Sequence, residues 1–337
     1  GFDIGGTRLK SGVVSASGAV SGPCVLNTEH RRFDWVLERL LEEARTYLAE
    51  FGDSGLRGVG VALPGIVQSE FGSRNLPGKV LGIENFPLHD TLEREFAVPV
   101  RCVNDGNAAT LAEWRFGAAR GYDDVVGFTL GTGVGGGVVM NGRLLENAHF
   151  GVVSLGHFTI QAGGKLCLCG NKGCAETLVS ADAVASRLRD YLGRSVPSVL
   201  NEVYFRDPAS ITFRSLIEGV EQGDRVCLEV LEHFRRDLGA LVVTAIHAYN
   251  PSAVVLAGGP LAAADHFLPH VQAYVDRYAF VFPKDRRVPV LRAREENYAG
   301  VLGAVALVMQ AEEREAGPEE TRDEDAPLEP PPPAGAA

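Results

Sequence analysis

The chain has 337 residues, 45% hydrophobic and 22% charged, with six cysteines and a net charge of −11. That length allows two domains with a sizeable core, and no apolar run reaches the ~20 residues needed to span a bilayer. No signal peptide is visible, no basic face suits nucleic acid, and the cysteines do not form a disulfide framework, so a cytoplasmic protein that binds neither nucleic acid nor membrane is expected.

The opening "GFDIGGTRLKSGVV" (1–14) reads as the end of a strand, a glycine turn and a second strand, so residues are expected ahead of Gly1. The same arrangement returns in "GFTLGTGVGGGVV" (127–139), 126 residues later, and two such hairpins predict two similar halves. Between them, 33–51 carries helical periodicity, 56–65 reads as a strand ending at a turn, and 98–117 reads as a strand, then Asp105, then a helix. Beyond the second hairpin, "GVVSLGHFTIQAGGKLCLCGNKGCAE" (151–176) gathers three of the six cysteines. A long helix over 227–250, a buried strand over 252–260 ending in a glycine pair, and a closing apolar helix over 296–310 follow. Strands alternating with helices predict an α/β architecture with a cleft between two lobes. Residues 311–337 hold nine acids and two arginines, leaving only about −4 on the rest of the chain. Rich in proline and poor in large apolar residues, this segment is expected to be a disordered tail.

The turns "DIGGT" (3–7) and "LGTGVGGG" (130–137) present backbone N–H groups with no side chains in the way, an arrangement that binds phosphate oxygens. Glycine also simply permits tight hairpins. Gly5, Gly6 and Thr7 in the first turn, Gly131, Thr132 and Gly133 in the second, and the pair Gly258 and Gly259 together favour a nucleotide, with an adenine beside the last pair at a strand's carboxyl end. Asp3 suits Mg²⁺ held through water, and Lys10 or Arg8 would add positive charge. Asp105 fits either a helix N-cap or a general base that takes a hydroxyl proton in phosphoryl transfer, and the phosphate loops favour the base. His157, Cys167, Cys169 and Cys174 make a closed Cys₃His set for tetrahedral Zn²⁺, with no position left for water, so the metal is expected to be structural.

"DIGGT", "NDGNAA" (104–109), "LGTGVGGG" and "GH-x9-CxCGxxGCxE" (156–176) together resemble the ROK family of bacterial sugar kinases and repressors over roughly residues 1–311. The resemblance implies an actin-like ATPase (ribonuclease H-like) duplicated fold, two lobes closing around a cleft. It implies ATP, Mg²⁺ and structural Zn²⁺, and a homodimer or homotetramer. The small lobe would cover 1–108, completed by the helix 296–310, and the large lobe 109–295. Asp105 would be the catalytic base and Asn104 a sugar ligand beside it. Pro64, Gly65 and Asn75 would lie along the sugar pocket, His157 would bind zinc and border the sugar, and Glu176 would accept hydrogen bonds from sugar hydroxyls. Where family glucokinases read "GEIGH", this chain reads "VSLGH", so Ser154 replaces a sugar-binding glutamate and Val153 a glycine. Family repressors carry a winged DNA-binding domain before "DIGGT", and none precedes Asp3 in this sequence. The expected activity is an ATP-dependent glucokinase. The alternatives are a kinase for another hexose or an N-acyl amino sugar, or a sugar-sensing regulator without turnover.

Overall fold

The computed structural model describes residues 1–51, 55–75, 80–146, 154–295 and 297–315. The first half opens with β1 (Phe2–Ile4), β2 (Arg8–Val14) and β3 (Val20–Asn27), then α1 (Phe33–Phe51) and β4 (Val59–Leu63). A small antiparallel ribbon of β5 (Ile66–Gln68) and β6 (Gly72–Asn75) follows, then α2 (Leu88–Phe96), β7 (Val100–Asn104) and α3 (Asp105–Arg115). The second half opens with β8 (Val125–Leu130), β9 (Val134–Met140) and β10 (Arg143–Leu144). After the cysteine loop come α4 (Glu176–Val179), α5 (Ala181–Leu192), α6 (Asn201–Arg206), α7 (Phe213–Glu221) and α8 (Arg225–Tyr249). The half closes with β11 (Ala253–Ala257), α9 (Leu268–Tyr278), β12 (Val290–Arg292) and α10 (Ala299–Glu315).

The two main sheets have the same strand order. One runs β3-β2-β1-β4-β7 and the other β10-β9-β8-β11-β12, so each places its own third, second, first, fourth and fifth strands side by side. In both, the first three strands are antiparallel and the first, fourth and fifth are parallel. The expected duplicated α/β fold is therefore present. The central strands are what parallel sheets covered on both faces require: VGVAL of β4 is buried at every position.

Each half also ends in a helix that packs on the other half's sheet. α3 leaves β7 and packs on β8 and β9, whereas α10 leaves β12 and packs on β1, β4 and β7. The two helices meet where a side chain at Gly303 would lie 1.7 Å from the Ala108 carbonyl oxygen, so only glycine fits there. Small and medium residues, among them Ala62, Ala108, Leu111, Val125, Ala304 and Leu307, form a core between the sheets. Separate cores fill each half, around Phe2, Leu40 and Leu88 in the first and Phe128, Phe234 and Phe267 in the second.

Two expected boundaries move. The division after residue 108 falls inside α3, because that helix is continuous from one half to the other. The closing helix expected over 296–310 runs Ala299–Glu315 and takes the first five residues of the expected tail. Ala, Glu and Arg are good helix formers, and extending an existing helix costs no new nucleus. Glu312 and Glu313 also pair with Arg57 and Arg115. Residues 316–337 lie outside the described residues.

Candidate active site

The β1–β2 turn closes through the Gly5 N–H donating to the Arg8 carbonyl at 2.8 Å. Thr28, buried just past β3, braces it: its N–H donates to the Thr7 carbonyl (2.9 Å) and its hydroxyl to the Gly5 carbonyl (3.2 Å). Nothing in the sequence pattern marked Thr28. Asp3 lies opposite Lys10 in the β1–β2 register, and Lys10 Nζ donates to the Asn297 carbonyl at 2.7 Å. The Asp3 carboxyl fills the space beside Gly300, where a Cβ would sit 2.4 Å from Asp3 Cγ. Burial pushes the Asp3 pKa up to about 6, against the pull of Lys10 and with a further push from the charge of Asp105. Asp3 and Asp105, 102 residues apart in sequence, thus share one electrostatic site. A buried carboxylate with a second carboxylate near it is a setting that a hard cation relieves.

Asp105 is the first residue of α3, and the cap is its neighbour. Asn104 Oδ1 accepts from the N–H groups of Gly106 (2.9 Å) and Asn107 (3.3 Å), while its Nδ2 donates to the Gly65 carbonyl (2.8 Å). The cap of α3 is thus Asn104, whose amide serves both helix and turn, and Asp105 stands exposed one residue later with its Oδ1 also accepting from the Gly106 N–H at 2.8 Å. Pro64 is buried, Gly65 turns with φ +87°, and Asn75 pairs with Ile66, so the three expected pocket residues are neighbours.

The cysteine loop gathers its four ligands. The ligand atoms of His157, Cys167, Cys169 and Cys174 all lie within 4.8 Å of one another. Cys167 Sγ is 3.6 Å from His157 Nδ1, and Cys169 Sγ is 3.6 Å from Cys174 Sγ. A tetrahedron with metal bonds of about 2.0–2.3 Å has edges of about 3.5–3.8 Å, so the arrangement fits a metal ion. Desolvation pushes the Cys167 thiol up to about 12 and raises that of Cys174, while the Asn171 backbone N–H lowers that of Cys169. Metal binding would release these protons.

The loop also grips the second glycine turn. Glu176 Oε2 accepts from the Val134 N–H at 3.0 Å, and Gly156 lies so close to the Val134 carbonyl that a Cβ there would be 2.2 Å away. Glu176 Oε1 lies 3.7 Å from Cys167 Sγ. Ser154 is exposed and accepts through its carbonyl from the His157 N–H at 3.0 Å. Val153 lies outside the described residues.

On the other side of this turn is a cavity of about 660 Å³. Gly131, Thr132 and Gly259 line it together with Arg189, Phe213 and Ile217, which no sequence motif signalled. Two glycines of the expected set do other work. Gly258 has φ +103° and presses on Leu130, whose carbonyl oxygen would be 2.0 Å from a Cβ; Gly133 faces the Glu176 carboxylate. The Gly131 carbonyl accepts from the Ala181 N–H at 2.7 Å, which ties the turn to the start of α5.

The ROK family matches residues 1–311. A glucokinase from Thermotoga maritima is 32% identical over 313 residues, spanning 92% of this chain and 96% of its own. The DNA-binding transcriptional dual regulator NagC of Escherichia coli is 30% identical over 295 residues, 85% of this chain and 70% of its own. Among solved structures, a ROK family glucokinase from Streptomyces griseus in complex with glucose and AMPPNP superposes with a TM-score of 0.71 at 28% identity, covering 92% of this chain and 98% of that one.

Proposed function

The chain belongs to the ROK family, and from that premise we propose that it is an ATP-dependent sugar kinase, with glucose as the sugar and glucose 6-phosphate and ADP as products. One observation carries the reading: Gly131 and Thr132 of the β8–β9 turn line the cavity, and Val134, which ends that turn, is held by Glu176 of the cysteine loop. A nucleotide site and a sugar wall would then share that turn. The named glucokinase relatives support the choice of reaction.

Asp105 would accept the proton of the attacking hydroxyl as its oxygen bonds to the γ-phosphorus and the bond to ADP breaks. Asn104 positions Asp105 through its bonds to the helix start and to Gly65. Asn104, Gly65, His157 and Glu176 would orient the sugar, and the turn N–H groups would receive the phosphates. Asp3 and Lys10 fit a Mg²⁺–phosphate site, and Mg²⁺ when bound would offset charge on the transferring group. The Cys₃His set would hold structural Zn²⁺, keeping the His157 and Glu176 wall rigid. A homodimer or homotetramer in the cytoplasm completes the reading. No described helix is long and apolar enough to cross a membrane.

A coupled ATP assay over glucose, mannose, N-acetylglucosamine and N-acetylmannosamine tests it; no turnover on any sugar would overturn the kinase reading and favour a regulator. Ser154 favours one second reading, a kinase for another hexose or an N-acyl amino sugar. Ser154→Glu, alone and with Val153→Gly, separates the two. In a glucose pocket the added acceptor should lower the glucose KM by about tenfold or more, since a charged hydrogen bond contributes about 1.5–3 kcal/mol. No gain for glucose, with strong wild-type activity on another sugar, would leave only the broader kinase claim.

A further inference from the structure

A deeply buried carboxylate lies outside the site described above. Glu113, in the last turn of α3, is 1% exposed. Three backbone N–H groups converge on it. Ala118 donates to Oε2 at 2.8 Å, and Arg294 and Glu295 donate to Oε1 at 2.9 Å and 2.6 Å. Ala118 belongs to the turn after α3, whereas Arg294 and Glu295 belong to the segment between β12 and α10. The chain passes between its halves through α3 and through this segment, and one carboxylate fastens both passages. Hydrogen bonds to a charged acceptor are roughly twice as strong as neutral ones, and losing the acceptor leaves buried donors unsatisfied.

The segment leads directly to the first glycine turn. Two residues past Glu295, the Asn297 carbonyl accepts from Lys10 Nζ at 2.7 Å. Three further on, Gly300 abuts the Asp3 carboxyl. Glu113 itself is not among the residues that line the cavity or hold the metal cluster.

We propose that Glu113 is a positioning residue for phosphoryl transfer: by fixing Arg294 and Glu295, just before Asn297, it sets Lys10 and Asp3 in the geometry that the nucleotide and its metal require. The proposal rests on the kinase reading above and adds a residue to it. It predicts a selective defect, because the path from Glu113 ends at the phosphate turn and not at the sugar wall.

The test is Glu113→Gln in the full chain. The glutamine oxygen can serve only one side, so its NH₂ group must oppose an N–H donor. kcat/KM for ATP with Mg²⁺ should fall about 10–100-fold, the cost of a misplacement on the order of 1 Å, while KM for the sugar stays within about twofold. The Arg294 and Glu295 amides should exchange hydrogen faster. A cycle with Lys10→Met should be non-additive, the double variant being no worse than Lys10→Met alone. A folded Glu113→Gln protein with wild-type ATP parameters would overturn the proposal, as would equal losses on both substrates with an additive cycle. If Glu113→Gln does not fold, Glu113→Asp, which keeps the charge on a shorter arm, carries the same expectation and the same refutation. If the wild type phosphorylates no sugar, the kinase reading fails on its own, and calorimetric affinity for AMPPNP with Mg²⁺ decides the role of Glu113: a selective loss supports it and unchanged affinity sinks it.

Discussion

The β1–β2 turn and the β8–β9 turn hold the same place in two sheets of one strand order, but their chemistry has diverged. In the first, the strand carries Asp3 one residue before its end, a half-buried carboxyl with a raised pKa and Lys10 opposite. In the second, aligning "GFDIGGT" with "GFTLGTG" puts Thr129 where Asp3 stands, and no charge lies on that strand end. The supports differ as well. Thr28 of its own half and Gly300 of the other half's helix hold the first turn. Glu176 of the metal loop and Ala181 at the start of α5 hold the second. Hydrophobic patterning and glycine turns are thus enough to repeat a scaffold, while one residue at a strand end and the segment docked on the turn decide what each copy does.

The sharpest way to test this contrast is at the acid that works with the charged turn. Asp105→Asn should keep sugar binding by calorimetry and lose about 10²–10⁴ in turnover, the usual contribution of a general base. Near-normal kcat would remove Asp105 from the chemistry and, with it, the asymmetry between the halves.

At the other turn, Cys169→Ser should cost at least about 10–100-fold in metal affinity. Metal analysis should show about one Zn²⁺ per wild-type chain and much less in the variant. Because Glu176 and Gly156 both bear on Val134, KM should rise for the sugar and for ATP together. A metal-free variant with wild-type constants would show that the loop braces nothing.

Asp3→Asn probes the charge itself and should uncouple stability from activity. The Asp3 pKa is raised from its ordinary 3.8 to about 6. The cost of burying its charge is therefore absent well below pH 3.8, where both states are protonated, grows as pH rises from about 4 to 6, and is complete above 6. Removing it should stabilise the metal-free protein by about 2–3 kcal/mol at pH 7, at 1.36 kcal/mol per pKa unit, and by almost nothing at about pH 3. Activity should fall at every pH. Equal melting temperatures of variant and wild type across that range would mean that Asp3 is not strained by burial.

The smallest effect belongs to the end of α10. Stopping the chain after Gln310 removes the Arg57–Glu312 and Arg115–Glu313 pairs. Exposed pairs contribute about 0–1 kcal/mol each, so the melting temperature should drop by no more than ~2–8 °C with kcat unchanged. A larger fall would show that the last helical turn is part of the joint between the halves.

Much of this protein was settled by the order of its residues. The two hairpins, the helix Phe33–Phe51, the Cys₃His cluster and the strand running into Asp105 are all local patterns, legible in side-chain period, in glycine at turns and in four metal-type ligands spaced closely along the chain. Tertiary structure decided what depends on contacts between distant segments. Whether Asn104 or Asp105 capped α3 turned on where the Gly65 carbonyl lay. That α3 and α10 exchange sheets is set by packing across Gly303 and Ala108, and it placed a helix across an expected domain boundary. Thr28, Glu113 and Gly300 carry no motif; each matters because of one partner brought near by folding, a turn carbonyl, three backbone N–H groups and the carboxyl of Asp3. Local sequence records periodicity and ligand type, but burial, and with it the pKa of Asp3, exists only once the chain has closed around the group.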